Sequence, residues 1–157
     1  MKIYFLRHGI AFEAGDWKGN DYDRPLTGEG RDRMAKEAKA IGKLELDLDA
    51  ILTSPLVRAK ETAVIVGDAL KLDVKEDERL GGDFDVTSLE SLLQDHPTAK
   101  ALMLVGHEPS FSAVIGRLIG EARLDLKKGG LACVQVSRAS SIAGELLWLV
   151  PAKILAG

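Results

Sequence analysis

Three short stretches place cationic or imidazole side chains where an apolar run stops. "KIYFLRHG" ends in Arg7, His8 and Gly9. "ILTSPLVR" reaches Arg58 shortly after Thr53 and Ser54. "ALMLVGHE" ends in His107 and Glu108. Two arginines and two histidines are the material of an anion site. Arginine forks match phosphoryl oxygens two at a time. A phosphoryl group in transfer spreads its charge over its equatorial oxygens, so its catalysis is mainly positioning and charge stabilisation. A neutral imidazole is a nucleophile, and the charge of Arg7 beside His8 favours that neutral form. One histidine can attack phosphorus in line while the other, with both arginines, holds the oxygens. Gly9 lets the backbone turn closely beneath the nucleophile.

Taken singly, each residue has an ordinary reading. Arg7 can be a strand-end salt bridge, and His107 a satisfied structural histidine. Arg58 can be a solvated helix residue, although the positive end of a helix disfavours a cation by some tenths of a kcal/mol. Beside an anion its position makes sense, because a helix N-terminus and a guanidinium both favour negative charge. The four together are poorly explained by packing.

The elements between the motifs say how they meet. "KIYFL" reads as a buried strand, "LDAILTS" as a second, "LDVKE" as a short third and "ALMLVGH" as a fully apolar fourth. "LTGEGRDRMAKEAKAIGKL" reads as a helix, with Thr27 as N-cap and Gly42 as its stop. "SPLVRAKETAVIVGDALKL" is the clearest helix. Ser54 is its expected cap, Pro55 its first residue, and Ala59, Ala63, Val66 and Leu70 its apolar stripe. "TSLESLLQDHP" opens on a capping box of Thr87 with Glu90, and "PSFSAVIGRLIG" reads as a further helix. "LACVQVSR" and "ELLWLVP" read as a hairpin around Ser140 to Gly144. Alternating strands and helices predict an α/β fold with a mostly parallel sheet, plus an antiparallel C-terminal element. Ligands of such sheets bind beyond the carboxyl ends of the strands. If the three motif-bearing strands are parallel, their chemistry converges on one rim.

Composition narrows the partners. The 157 residues suit one domain and can bury roughly two-thirds of their unfolded surface. The formal net charge is −3 and no basic, aromatic-interleaved face is visible, so nucleic acid is not expected. The one cysteine, Cys133, lies in an apolar stretch and reads as a core residue. Only four apolar residues precede Arg7, too few for a signal peptide, and no run approaches a membrane span. A cytoplasmic location is the expectation. A metal site would be the competing use of two histidines, but adjacent arginines repel a cation and no CxxC or HExxH spacing occurs. His96, in "QDHP", reads as a loop residue. No metal is expected.

"LRHG" closing the first strand, "TSPLVRAKET" opening a helix and "LVGHEP" closing a later strand resemble the histidine phosphatase (phosphoglycerate mutase-like) superfamily, in the family's order. The resemblance implies a phosphoglycerate mutase-like three-layer α/β/α sandwich over residues 1–157. It implies that His8 is the nucleophile carrying a transient phosphohistidine, that Arg7, Arg58 and His107 form the phosphate pocket, and that no metal or organic cofactor is used. "RHGIA", "DRPLTGEG" and "HEPSFS", with the short interval between Arg58 and His107, look like the SixA-like phosphohistidine phosphatases. That branch removes phosphate from histidine on signalling proteins, so a phosphoprotein of the histidine phosphotransfer type is the expected partner, and a monomer the expected state. The chemistry agrees. An ester leaves as an alkoxide and needs a strong proton donor, whereas a phosphorylated imidazole leaves neutral once its other nitrogen is protonated. A site poor in acids can still cleave P–N bonds. Asp83 and Asp85 are candidate proton donors or plain loop carboxylates. Glu108 can orient His107 or cap the next helix. Arg24 can reach the rim and bind substrate, with Gly9 as a further substrate contact. Trp17 and Tyr22 can shape the entrance or pack over the edge. The alternatives are a phosphomonoesterase of small esters and a phosphate- or phosphoprotein-binding module without turnover.

Overall fold

A computed structural model describes residues 1–138 and 140–157. Its single six-stranded sheet comprises β1 (Lys2–Arg7), β2 (Ala50–Thr53), β3 (Val74–Glu76), β4 (Ala101–Gly106), β5 (Leu131–Ser137) and β6 (Ala143–Val150), in the spatial order β3-β2-β4-β1-β5-β6. β2 pairs parallel with both β3 and β4, and β4 pairs parallel with β1. β5 runs antiparallel to β1, and β6 antiparallel to β5. The helices are α1 (Gly28–Gly42), α2 (Val57–Leu70), α3 (Val86–Gln94), α4 (Ser110–Leu118) and α5 (Ala152–Leu155).

Alternation along β1 explains the layers. Ile3 and Phe5 point into a core shared with Leu89, Leu92 and Leu93 of α3 and with Phe111 and Ile115 of α4. Tyr4 and Leu6 point into a second core with Met34 and Ile41 of α1 and Ala59, Ala63 and Val66 of α2. A strand segment covered on both faces must be apolar, as residues 3–6 of β1 and the whole of β4 are. Full burial of each such Leu, Ile or Phe stabilises by about 1.5–3 kcal/mol. The expected three-layer α/β/α sandwich is therefore present. The parallel register of β1, β2 and β4 brings their carboxyl ends to one edge.

Several local expectations are corrected. α2 begins at Val57, not Pro55, and Ser54 does not cap it; Leu56 stands at the cap position without a side-chain bond. The Ser54 hydroxyl is engaged by its own turn and by His107, 53 residues away, a partner no local pattern displays. The cap of α3 is Asp85, whose carboxylate accepts from the Ser88 N–H at 2.7 Å, and not Thr87 with Glu90. A carboxylate accepts a backbone N–H more strongly than a hydroxyl does. β6 begins at Ala143, so the hairpin connection ends earlier than Gly144. Ala139, within that connection, lies outside the described residues. Two 3-10 turns, Asp21–Asp23 and Glu78–Leu80, and the short α5 add elements too short to carry a hydrophobic period. Thr27 caps α1 as expected, accepting from the Gly30 N–H at 2.9 Å. Gly30 is obligatory there, since a Cβ would lie 2.0 Å from the Ile10 carbonyl oxygen. That close approach presses the first turn of α1 onto the segment following His8. No helix among the described residues is long and apolar enough to cross a membrane.

Candidate active site

The edge gathers its groups from three strand ends. β1 delivers Arg7 and His8, β4 delivers His107, and the turn after β2 delivers Ser54, with Arg58 in the first turn of α2. The His8 N–H donates to the Gly106 carbonyl at 3.0 Å, tying the first strand end to the one that carries His107. The two imidazole centroids are 5.3 Å apart. Both rings are buried, His8 being 6% and His107 5% exposed.

The orientation of His8 is set by its own neighbour. Its Nδ1 lies 2.7 Å from the Gly9 carbonyl oxygen. A carbonyl only accepts, so Nδ1 must carry the hydrogen, and Nε2 is left with a lone pair. Gly9 is held in turn by its N–H, which donates to Thr62 Oγ1 at 3.1 Å. Thr62 donates to the Arg58 carbonyl at 2.8 Å. Both polar groups of Gly9 are thereby engaged, so in this conformation Gly9 holds His8 and offers no free N–H to a ligand. Thr62 was not anticipated. It lies one turn beyond Arg58, and only the contact of α2 with the segment following β1 reveals its use.

His107 Nε2 is 2.7 Å from Ser54 Oγ. Ser54 Oγ also accepts from the Leu56 N–H at 3.2 Å, and its own hydrogen is available to Nε2. When Ser54 donates to Nε2, the proton of a neutral His107 sits on Nδ1, a buried atom without a partner among the described residues. Arg7 donates through Nη1 to the Leu126 carbonyl at 3.0 Å, and Arg58 through Nη1 to the Asp21 carbonyl at 2.9 Å. The Nε of each of these arginines is buried and has no hydrogen-bond partner among the described residues. Three cationic or imidazole donors thus have hydrogen-bonding capacity left over, a demand that an oxyanion meets.

Burial governs the titration here. It pushes His8 down from 6.5 to about 3, helped by the charges of His107, Arg58 and Arg7. It pushes His107 down to about 4, helped first by Arg58. Both rings are neutral at physiological pH, as a nucleophile requires. A group with a depressed folded pKa contributes stability that is complete above pH 6.5 and is lost as pH falls towards the folded value. In NMR titration of the ring protons of the ligand-free protein, His8 and His107 should remain neutral at pH values about one unit below the ordinary histidine pKa. Imidazolium signals growing in through pH 6.5 would contradict this account.

The remaining candidates fall into place. Arg24 does not stand free at the rim. Its Nε lies 3.0 Å from Asp21 Oδ1, and its Nη1 donates to the Phe12 carbonyl. Asp21 also meets Arg58 Nη2 through Oδ2, at 3.3 Å. An Arg24–Asp21–Arg58 chain therefore links the entrance loop to the site, and the Arg24 hydrogen bond first, then both guanidinium charges, hold the Asp21 carboxyl below its usual range. Asp21 was not foreseen, because its 3-10 turn has no periodicity to read. Asp85 is spent on capping α3, and the backbone N–H it accepts keeps its carboxyl low, the wrong direction for a proton donor. Glu108 accepts from the Ser112 N–H at 2.8 Å and so caps the start of α4 rather than orienting His107. Asp83 is exposed. Trp17 packs its ring 5.9 Å from Phe12 and donates to the Asn20 carbonyl, while Tyr22 is exposed. His96 is only half-buried, in the loop after α3, and Cys133 is buried in the core. No three His, Cys, Asp or Glu side chains cluster as metal ligands among the described residues.

Comparison with known proteins agrees with this geometry. A protein of Picosynechococcus sp., itself uncharacterised, is 38% identical over 141 residues, 83% of this chain and 82% of its own. Phosphohistidine phosphatase SixA of Escherichia coli is 27% identical over 126 residues, 77% of this chain and 73% of its own. The solved structure of the protein histidine phosphatase SixA complexed with tungstate has a TM-score of 0.86 at 25% identity, covering 99% of each chain. The fold is thus that of the phosphoglycerate mutase-like phosphatases expected from the motifs. The model of the histidine phosphatase superfamily (branch 1) matches residues 3–100, and the chain belongs to that superfamily.

Proposed function

We propose that this protein is a phosphohistidine phosphatase acting on a signalling phosphoprotein. The observation that carries the reading is the His8 Nδ1 bond to the Gly9 carbonyl, which leaves Nε2 with its lone pair in a site of unpaired donors. Nε2 attacks phosphorus in line. The P–N bond to the substrate imidazole breaks, and that imidazole leaves neutral, with its proton on the other ring nitrogen. Water then hydrolyses the His8–phosphoryl bond, releasing phosphate and restoring the free imidazole. Arg7, Arg58 and His107 hold the equatorial oxygens as their charge grows. Arg24 acts through Asp21, which fixes the Arg58 guanidinium.

The choice of a P–N over a P–O substrate is supported by the fate of the acids. Asp85 and Glu108 are committed as helix caps. A leaving imidazole does not need the strong donor that an alkoxide does. The likeness to the SixA proteins supports the same choice.

The test is phosphate release from a phosphohistidine-bearing protein and from p-nitrophenyl phosphate, with and without EDTA. The phosphohistidine substrate should turn over with a kcat/KM at least about a hundredfold higher, the scale of one general-acid contribution. EDTA should change neither rate. A faster ester reaction would make the protein a phosphomonoesterase instead. Phosphate binding with no turnover of either substrate would make it a binding module. EDTA-sensitive activity restored by a metal ion would overturn the metal-free mechanism.

A further inference from the structure

The edge that carries the site continues beyond His8. Because β5 runs antiparallel to β1, with Leu131 opposite Leu6, residues 127–130 lie at the carboxyl end of β1. Because Val150 pairs with Leu131, Lys153 follows from the same edge. A half-open cavity of about 460 Å³ lies there, lined by Arg7, Arg33, Lys127, Lys128 and Lys153; the rest of its wall is apolar and includes no carboxylate. Five cations from four segments surround one cavity in a chain of net charge −3. The cavity is coupled to the site through the backbone. The Gly129 N–H donates to the Arg7 and His8 carbonyls at 3.1 and 3.0 Å, and Arg7 donates back to the Gly130 carbonyl.

We propose that this cavity receives carboxylate side chains of the phosphoprotein substrate, so that Arg33, Lys127, Lys128 and Lys153 dock an acidic surface beside its phosphohistidine. The inference rests on the phosphohistidine phosphatase reading given above. An overall negative chain repels an acidic partner, and a cationic concavity next to the nucleophile reverses that field locally. The neighbouring acids do not cancel it. Lys127 pairs with Asp125 and Lys128 lies 3.6 Å from Glu13, but the acid side chains are 68% and 74% exposed. Such pairs are worth about 0–1 kcal/mol and exchange readily for a partner's carboxylates. Arg33 pairs with Glu37 at 3.7 Å, and Glu29 and Asp32 share an adjoining open groove with Arg33 and Lys153 without lining the cavity itself. Burial raises the Glu37 carboxyl to about 7, against the pull of the Arg33 charge, which weakens its hold on Arg33. A protein surface fits better than a second small phosphate. The cations are spread over four segments, and Lys127 is 70% exposed, with its charge reaching into solvent.

The test is steady-state hydrolysis by wild type, Lys127→Glu/Lys153→Glu and the milder Lys127→Gln/Lys153→Gln. The substrates are a phosphohistidine-bearing acidic phosphotransfer protein and, as a small substrate, phosphoramidate. The glutamate variant should raise KM for the phosphoprotein about tenfold or more, with kcat little changed; the glutamine variant should have an intermediate effect. Wild-type KM for the phosphoprotein should rise with salt as the Debye length falls below about 8 Å. Phosphoramidate kcat/KM should stay within about twofold in every variant. An unchanged phosphoprotein KM, with wild type active, overturns the docking cavity and leaves the proposed activity standing. A parallel loss on phosphoramidate also overturns it, since the lysines would then act on the catalytic centre. A wild type that hydrolyses neither substrate overturns the reading on which the inference depends.

Discussion

Replacing His8 with alanine should abolish phosphate release from every substrate while the protein keeps its thermal unfolding midpoint to within a few degrees. Loss of a catalytic nucleophile costs on the order of 10⁴-fold or more in kcat. The fold should survive because the core lies elsewhere. Ile3, Phe5 and Leu6 seal both faces of β1 without help from the imidazole. Removal of a ring that burial holds neutral also removes a group that cannot charge without leaving its site. Phosphate should still bind, since Arg7, Arg58 and His107 remain. Two readouts decide the matter. The first is ³²P transfer from a labelled phosphohistidine protein, which should label wild type transiently with an acid-labile, base-stable bond and leave His8→Ala unlabelled. The second is the rate itself. Residual activity above about one per cent of wild type would show that another group attacks phosphorus.

Arg58→Ala should give the next largest loss, about a hundredfold to a thousandfold in kcat/KM. That is the effect of deleting one preorganised donor that stabilises transition-state charge, roughly 3 kcal/mol. Arg58 is 7% exposed and its Nε is unpaired, so little solvent competes for it. Lysine should not rescue the variant fully, because a point charge lacks the planar fork. Asp21→Asn is the informative comparison. It removes the anion opposite Arg58 but keeps the guanidinium, and the Asp21 side chain is 59% exposed. Its effect should stay below about tenfold, as for other exposed ion pairs. Steady-state kinetics on the phosphohistidine protein measures both. An Arg58→Ala enzyme within threefold of wild type would remove Arg58 from the phosphate pocket. An Asp21→Asn enzyme as damaged as Arg58→Ala would mean that Asp21 touches substrate itself.

Much of this was legible in the chain. The apolar runs of β1 and β4 announce strands covered on both faces, and the alternation with helices announces a parallel sheet. Arg7, His8, Arg58 and His107 stand out because each follows a strand that must end. Thr27 as the cap of α1 is readable for the same kind of reason, since an N-cap is a bond between residues three apart. Local patterns failed where two parties competed for one group. Ser54 looks like a helix cap, yet a histidine 53 residues away shares its hydroxyl. Thr87 with Glu90 looks like a capping box, yet Asp85 stands nearer the true helix start. Asp85 looks like a proton donor, and Glu108 like a partner of His107, until their carboxylates are seen accepting backbone N–H groups.

The fold class, the strands and the four residues of the rim are readable in the chain, because they depend on hydrophobic period and residue type over a few positions. The state of His8 is set by the folded chain. Its tautomer follows from the Gly9 carbonyl, and Gly9 is held by Thr62 of α2, 53 residues away in sequence. The neutrality of both histidines, the Arg24–Asp21–Arg58 chain and the cationic cavity around Lys127 and Lys153 belong to the same class. Each is a sum of burial and charge over segments far apart in the chain. Such sums have no period and no fixed spacing, so they exist only once the sheet has set its strands side by side.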